Sequence, residues 1–137
     1  MPTPRLTLVQ LIAAYAVALV VMGALDAAWL GWLAKDFYVE QLGPLMTDSV
    51  RIVPAAIYYF GFPAVIVYLA LLPATSLGEA ALRSAVLGLA AFGVYDLTNL
   101  ATLRGYTVTM TLVDMAWGTF ATTLGGTAAY RVVMARR

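Results

Sequence analysis

The sequence predicts an all-α membrane protein: four transmembrane helices in a bundle, with both termini cytoplasmic and a short interfacial segment between helices one and two. Three observations predict it. Of 137 residues, 63% are hydrophobic and 11% are charged, where a soluble domain carries about 25% charged residues. The mean hydropathy is +0.88. Apolar stretches long enough to cross about 30 Å of hydrocarbon recur along the chain, separated only by turn-forming or polar segments. No composition shift divides it, so residues 1–137 read as a single four-helix transmembrane domain.

The first span runs from Leu6 to about Leu33. Its apolar run is far longer than the 7–15 residues of a signal-peptide core, and Arg5 is the one charged side chain before it, so it reads as a retained helix. Lys35 to Arg51 is the one substantial polar connection, with Phe37, Tyr38, Leu42, Leu45 and Met46 among Asp36, Glu40 and Asp48. A short helix lying in the interface is expected before the turn at Gly43-Pro44. Ile52 to about Leu72 is the second span. Pro54 suits its first turn, whereas Pro63 lies mid-span and is expected to kink the helix and free the Tyr59 carbonyl. Pro73 to Gly78 reads as a loop, Ala80 to Leu103 as the third span and Thr107 to about Met134 as the fourth. Arg5, Arg83, Arg131, Arg136 and Arg137 collect on the side of the termini, against Lys35, Arg51 and Arg104 on the other, which places the termini in the cytoplasm.

Several chemistries are excluded by absence. With no cysteine and no histidine, disulfides, thiolate nucleophiles, zinc-finger sites and imidazole general bases have no residues to build them. Ser49, Ser76 and Ser84 stand in no nucleophile motif. A metal could be held only through oxygen, hence magnesium or calcium, and no loop signature supports one. Neither a metal nor another cofactor is expected. A net charge of +1 without a basic block leaves nucleic acid no electrostatic handle.

The residues that remain are carboxylates in apolar surroundings. Asp26, Asp96 and Asp114 each lie about seven residues from the outer end of a span, so at 1.5 Å per residue all three sit roughly 10 Å below the outer surface. A charge inside a span costs roughly 2.5–3.5 kcal/mol on insertion scales, which makes such residues candidates for function. Span two offers Tyr58 and Tyr59 at the same depth, and Asn99 lies one turn beyond Asp96. Leu25-Asp-Ala-Ala-Trp29 echoes Val113-Asp-Met-Ala-Trp117, so that in both an indole N–H follows the acid by one turn and can reach the carboxylate or a shared ligand. The stripe Thr107, Thr111, Asp114, Gly118, Ala121 and Gly125 predicts close helix approach, as do Gly23 and Ala27 in span one. Tyr38, Tyr106, Tyr130 and Trp32 read as an interfacial aromatic belt, while Tyr95, Trp29 and Trp117 are placed to line a pocket. Arg104 either sits in solvent at the turn or folds inward as a counter-ion. The structural alternative for the three acids is that neutral carboxyls glue the helices together by hydrogen bonds to Asn99, threonine or tyrosine.

The strings Leu25-Asp-Ala-Ala-Trp-Leu-Gly31, Tyr95-Asp-Leu-Thr-Asn-Leu-Ala-Thr-Leu103 and Val113-Asp-Met-Ala-Trp-Gly118 resemble the membrane-protein family of domain of unknown function 2177, as does Asp36 to Gly43. The resemblance implies a small multi-pass protein of the bacterial inner membrane and implies no activity. From the residues, three functions are expected in descending order. The first is binding or transport of a proton, a cation or a small, even lipid-like, ligand in an outward-facing pocket. Asp26, Asp96, Asp114, Asn99 and Arg104 would supply its polar groups, with Trp29, Trp117, Tyr95, Tyr58 and Tyr59 as walls. The second is an accessory subunit packed against a larger membrane complex, or a homo-oligomer. The third, disfavoured without histidine or cysteine, is an acid–base enzyme acting on a lipid or quinone-like substrate.

Overall fold

A computed structural model describes residues 6–134. Among these residues every regular element is helical. Helix α1 (Leu8–Ala28) starts at Thr7, whose hydroxyl accepts from the Gln10 amide while the Gln10 side chain accepts from the Thr7 amide. That reciprocal pair satisfies two of the free amides at a helix start. The helix then widens into a π-wound turn, Trp29–Leu33, before the short helix α2 (Lys35–Leu42). Gly43, at φ +43°, ends α2 in a conformation that favours glycine. Helix α3 (Ile52–Val65) carries Pro63 inside it and continues as a π-wound segment, Ile66–Leu71. Helices α4 (Leu77–Thr102) and α5 (Val108–Ala129) form a hairpin across Gly105, at φ +86°, and α5 closes in a π-wound turn, Tyr130–Met134.

Among the described residues, three helical stretches are long and apolar enough to cross a membrane: Leu8–Leu33, Ile52–Leu71 and Leu77–Thr102. Helix α5 has 22 residues but falls short in hydropathy, because its sequence includes six threonines and three glycines. Helix α4 begins within the expected Pro73–Gly78 loop. Ser76 caps it by accepting from the Glu79 amide at 3.0 Å, and Glu79 itself accepts from the Thr75 amide and hydroxyl. Arg5, Arg136 and Arg137, which enter the argument for cytoplasmic termini, lie outside the described residues.

Helix packing divides the bundle into two ends. At one end Ala14, Ala18, Met22, Ile66, Leu71 and Ala121 are buried in one apolar cluster. Here the small residues of α5 split between two faces. Gly125 lies against Met22 and the Ala18 carbonyl of α1, while Gly118 and Gly126 lie against Phe92 and Ser84 of α4. Gly88 of α4 in turn meets Thr122. The α4–α5 pairs 84/126, 88/122 and 92/118 step by four residues in opposite directions, the register of an antiparallel hairpin. The expectation for Gly23 and Ala27 is corrected: no neighbouring atom comes within 4 Å of a Cβ built on Gly23, and Ala27 is exposed. The face of α1 that packs is Ala14, Ala18 and Met22, at the helical spacing of four.

At the other end α3 separates from the α4–α5 hairpin, while α1 stays against α5. Residues Ile66–Leu71 pack against α1, α4 and α5, whereas Ile52–Val65 packs mainly against α1 and reaches α4 through the edge-to-face contact of Phe62 with Phe92. The separation starts near Pro63, where the missing amide and the following π-winding change the direction in which α3 presents its residues. The carbonyl engaged from another helix is that of Phe60, which accepts from the Tyr15 hydroxyl at 2.6 Å.

Candidate functional site

The gap between α3 and the α4–α5 hairpin forms a cavity of about 520 Å³. Tyr58, Tyr59 and Phe62 of α3 form one wall, and Ala91, Phe92 and Tyr95 of α4 face them. Asp26 enters from α1, Leu30 from the π-wound turn that follows it, and Met110, Asp114 and Trp117 from α5. Tyr38 and Leu42, four residues apart on α2, close the end. Apart from the carboxylates and phenols the lining is apolar, the composition of a small-molecule site.

Each acid is held by a donor from a different element. Trp117 Nε1 donates to Asp26 Oδ1 at 3.0 Å. Tyr38 Oη donates to Asp114 Oδ1 at 2.6 Å and itself accepts from Trp29 Nε1 at 3.0 Å. Tyr106 Oη donates to Asp96 Oδ1 at 2.5 Å. The two Asp-x-x-Trp motifs are thereby crossed. The indole of each serves the acid of the other, Trp117 directly and Trp29 through Tyr38. Their rings stack with centroids 4.4 Å apart and an interplanar angle of 5°. Antiparallel contact between α1 and α5, seen in the pairs Asp26–Trp117 and Met22–Gly125, brings the motifs face to face.

All three acids are buried: Asp26 is 6% exposed, Asp96 0% and Asp114 7%. Asp26 and Asp114 face the cavity, and Asp96 lies outside the lining, behind it. Extending the α4–α5 register by four residues pairs position 96 with 114, and the two carboxyls are neighbours across that interface. Asp96 Oδ2 has no hydrogen-bond partner. Among the described residues the one ion pair is Arg83–Glu79, so no cation of this chain described here neutralises the acids. No group of three ligating side chains among those residues lies close enough to hold a metal ion.

Of the residues expected at a site, Tyr58, Tyr59, Tyr95 and Trp117 line the cavity with Asp26 and Asp114. Trp29 supports it through the stack and Tyr38. Asn99 is half-buried and outside the lining, and Arg104 is exposed at the α4–α5 turn. The aromatic belt is corrected for three of its four members. Tyr38 and Tyr106 are buried donors to Asp114 and Asp96, and Tyr130 is buried in the packed apolar cluster. Trp32, 78% exposed, faces outward. Burial, then the bond to Asp114, pushes the Tyr38 phenol up; burial, then the bond to Asp96, does the same for Tyr106. Both therefore remain donors at neutral pH. The signal for Tyr38 was its spacing of four from Leu42 on a short amphipathic helix; nothing local marked Tyr106.

No curated protein and no solved structure matches the chain. The family model of the predicted membrane proteins DUF2177 matches residues 11–131, a range that takes in both Asp-x-x-Trp motifs, α2 and the whole α4–α5 hairpin. By that match, the chain belongs to the DUF2177 family of predicted membrane proteins.

Proposed function

We propose that this protein binds, and carries across or within the membrane, a small amphipathic molecule with a cationic end. In this reading residues 1–137 are one domain of the bacterial inner membrane, with four spanning helices, α1, α3, α4 and α5, and both termini cytoplasmic. The composition of α5 is compatible with spanning because Thr111, Gly118, Thr122, Gly125 and Gly126 are buried against other helices and do not meet lipid.

The observation that carries the proposal is the pairing of Asp26 and Asp114 with an aromatic wall and no cation of their own among the described residues. An ionised carboxylate in such surroundings is expensive and is stabilised by a positive charge brought beside it. Ring faces add about 0.5–2 kcal/mol for a cation placed over them. Tyr58, Phe62, Phe92 and Trp117 supply rings and apolar area, so an organic cation fits better than a bare, strongly hydrated ion.

The test uses benzyltrimethylammonium and its uncharged isostere neopentylbenzene on the detergent-solubilised protein, read by tryptophan fluorescence, since Trp117 lines the cavity and stacks on Trp29. The cation should give a saturable change, and Asp26→Asn and Asp114→Asn should each weaken it about tenfold or more. Equal binding of the uncharged isostere, or unchanged binding in both variants, would reject the proposal.

A further inference from the structure

We infer that Asp96 and Asp114 share one proton, held on Asp96 Oδ2, and that a cation entering the cavity at Asp114 displaces it. The second half rests on the ligand reading above; the first stands without it.

The geometry begins with Asp96, wholly buried, with Oδ1 engaged by Tyr106 and Oδ2 unpartnered. A buried oxygen of an ionised carboxyl with no donor is costly, and water is excluded from this one. The neighbouring group is Asp114, itself an acceptor whose Oδ1 is taken by Tyr38. Two ionised carboxylates side by side would repel in a low dielectric, whereas a carboxylic acid donating to a carboxylate satisfies both. The proton converts an orphaned oxygen into a donor and halves the charge of the pair.

Among the described residues, no group that faces this pair donates a hydrogen bond to Asp96 Oδ2. Tyr106, on the α4–α5 turn, and Tyr38, on α2, are already donors to the two outer oxygens. Tyr95 of α4 and Tyr58 and Tyr59 of α3 stand around the cavity beside Asp114, and Asp26 of α1 adds a further carboxyl there. No described lysine or arginine is within ion-pair distance.

Asp114 connects the two sites, facing the cavity on one side and Asp96 on the other. When a cation settles against it, the pair tolerates a second negative charge and the proton leaves to water. One positive charge enters as one leaves, and the charge of the buried site is unchanged. Protons and organic cations thus compete for the same carboxylates, the arrangement needed to exchange one for the other.

Infrared spectroscopy of the ligand-free protein at neutral pH tests the shared proton directly. A protonated-carboxyl band should be present, disappear in Asp96→Asn and move in Tyr106→Phe, which removes the donor to Oδ1 but keeps the acid. Absence of the band in wild type, or its persistence unmoved in both variants, overturns the inference whatever the cation does. Benzyltrimethylammonium binding measured from about pH 5 to about pH 9 tests the displacement. Affinity should rise about tenfold per pH unit where one proton is exchanged, and flatten in Asp96→Asn. Binding that is present but independent of pH in wild type overturns the exchange and leaves the ligand reading standing. With no cation binding at all, the ligand reading and the exchange fall together, and the infrared band alone decides the shared proton.

Discussion

In the half of the bundle around Ala18, Ile66 and Gly126 the helices meet through glycine, alanine and serine; around Asp26, Tyr58 and Asp114 they are held apart by aromatic rings. The first half buries hydroxyls with no partner, Ser84 Oγ and Thr122 Oγ1 among them, and makes up for it by close packing. The second half bonds one oxygen of each acid through a long side chain, Tyr38, Tyr106 or Trp117, that reaches across from a different element, and leaves Asp96 Oδ2 unpartnered. Packing rigidity and polar chemistry are thus separated along the same helices. Lipid cannot distinguish the two halves by hydrophobicity, so the contrast between them has to come from side-chain size and shape.

Changes in the packed half should have the largest effects. At Gly88 an added Cβ would lie 2.8 Å from Thr122 Cβ and 2.9 Å from the Gly118 carbonyl oxygen, which is backbone and cannot move aside. Gly88→Val should therefore destabilise by roughly 3 kcal/mol, at the upper end of ordinary overpacking, measured by detergent denaturation of helical circular dichroism. Gly23→Ala, with open space around it, should leave the same curve unchanged. If the two variants behave alike, the division of the bundle is wrong.

Polar contacts in the open half should matter less to stability. Trp117→Phe keeps a ring against Trp29 but removes the donor to Asp26. Interhelical hydrogen bonds in membranes are worth about 0.6 kcal/mol on average and up to about 1.7, and the loss should fall in that range. A loss as large as that of Gly88→Val would mean that this end is packed as tightly as the other.

The smallest effect is one of pH. Tyr38 and Tyr106 are raised above the ordinary phenol value of about 10 in the folded protein. The stability they contribute is fully present below that value and is lost as pH rises through the folded one. Stability should accordingly fall across the strongly alkaline range, and less steeply in Tyr38→Phe than in wild type. An equal slope in both proteins would show that Tyr38 titrates as it does in the unfolded chain.

Much of the bundle was legible because its signals are local. Thr7 and Thr107 cap the helices that follow them, so α1 and α5 start within two residues of the expected bounds. Ser76 and Glu79 carried a start signal of the same kind, three residues apart, which lengthens α4 into the expected loop. The acids were found for the same reason: a carboxylate in an apolar run is conspicuous at any rotation of its helix. Gly23 misled because a small residue permits close approach without requiring a neighbour to make it.

Sequence by itself determined that this chain is built of helices apolar enough for a membrane, roughly where the long ones begin and end, and which carboxylates lie in apolar runs, since hydropathy and spacing are local signals. Tertiary structure alone decided which way each residue points and what it meets. Each residue turns the helix by about 100°, and the π-wound turns at Trp29, Ile66 and Tyr130 shift that phase where no local preference announces it. The crossing of the two Asp-x-x-Trp motifs, the bonds from Tyr38 and Tyr106, and the unpartnered edge of Asp96 all depend on rotation and neighbour choice. These are set by packing between segments as many as 91 residues apart along the chain.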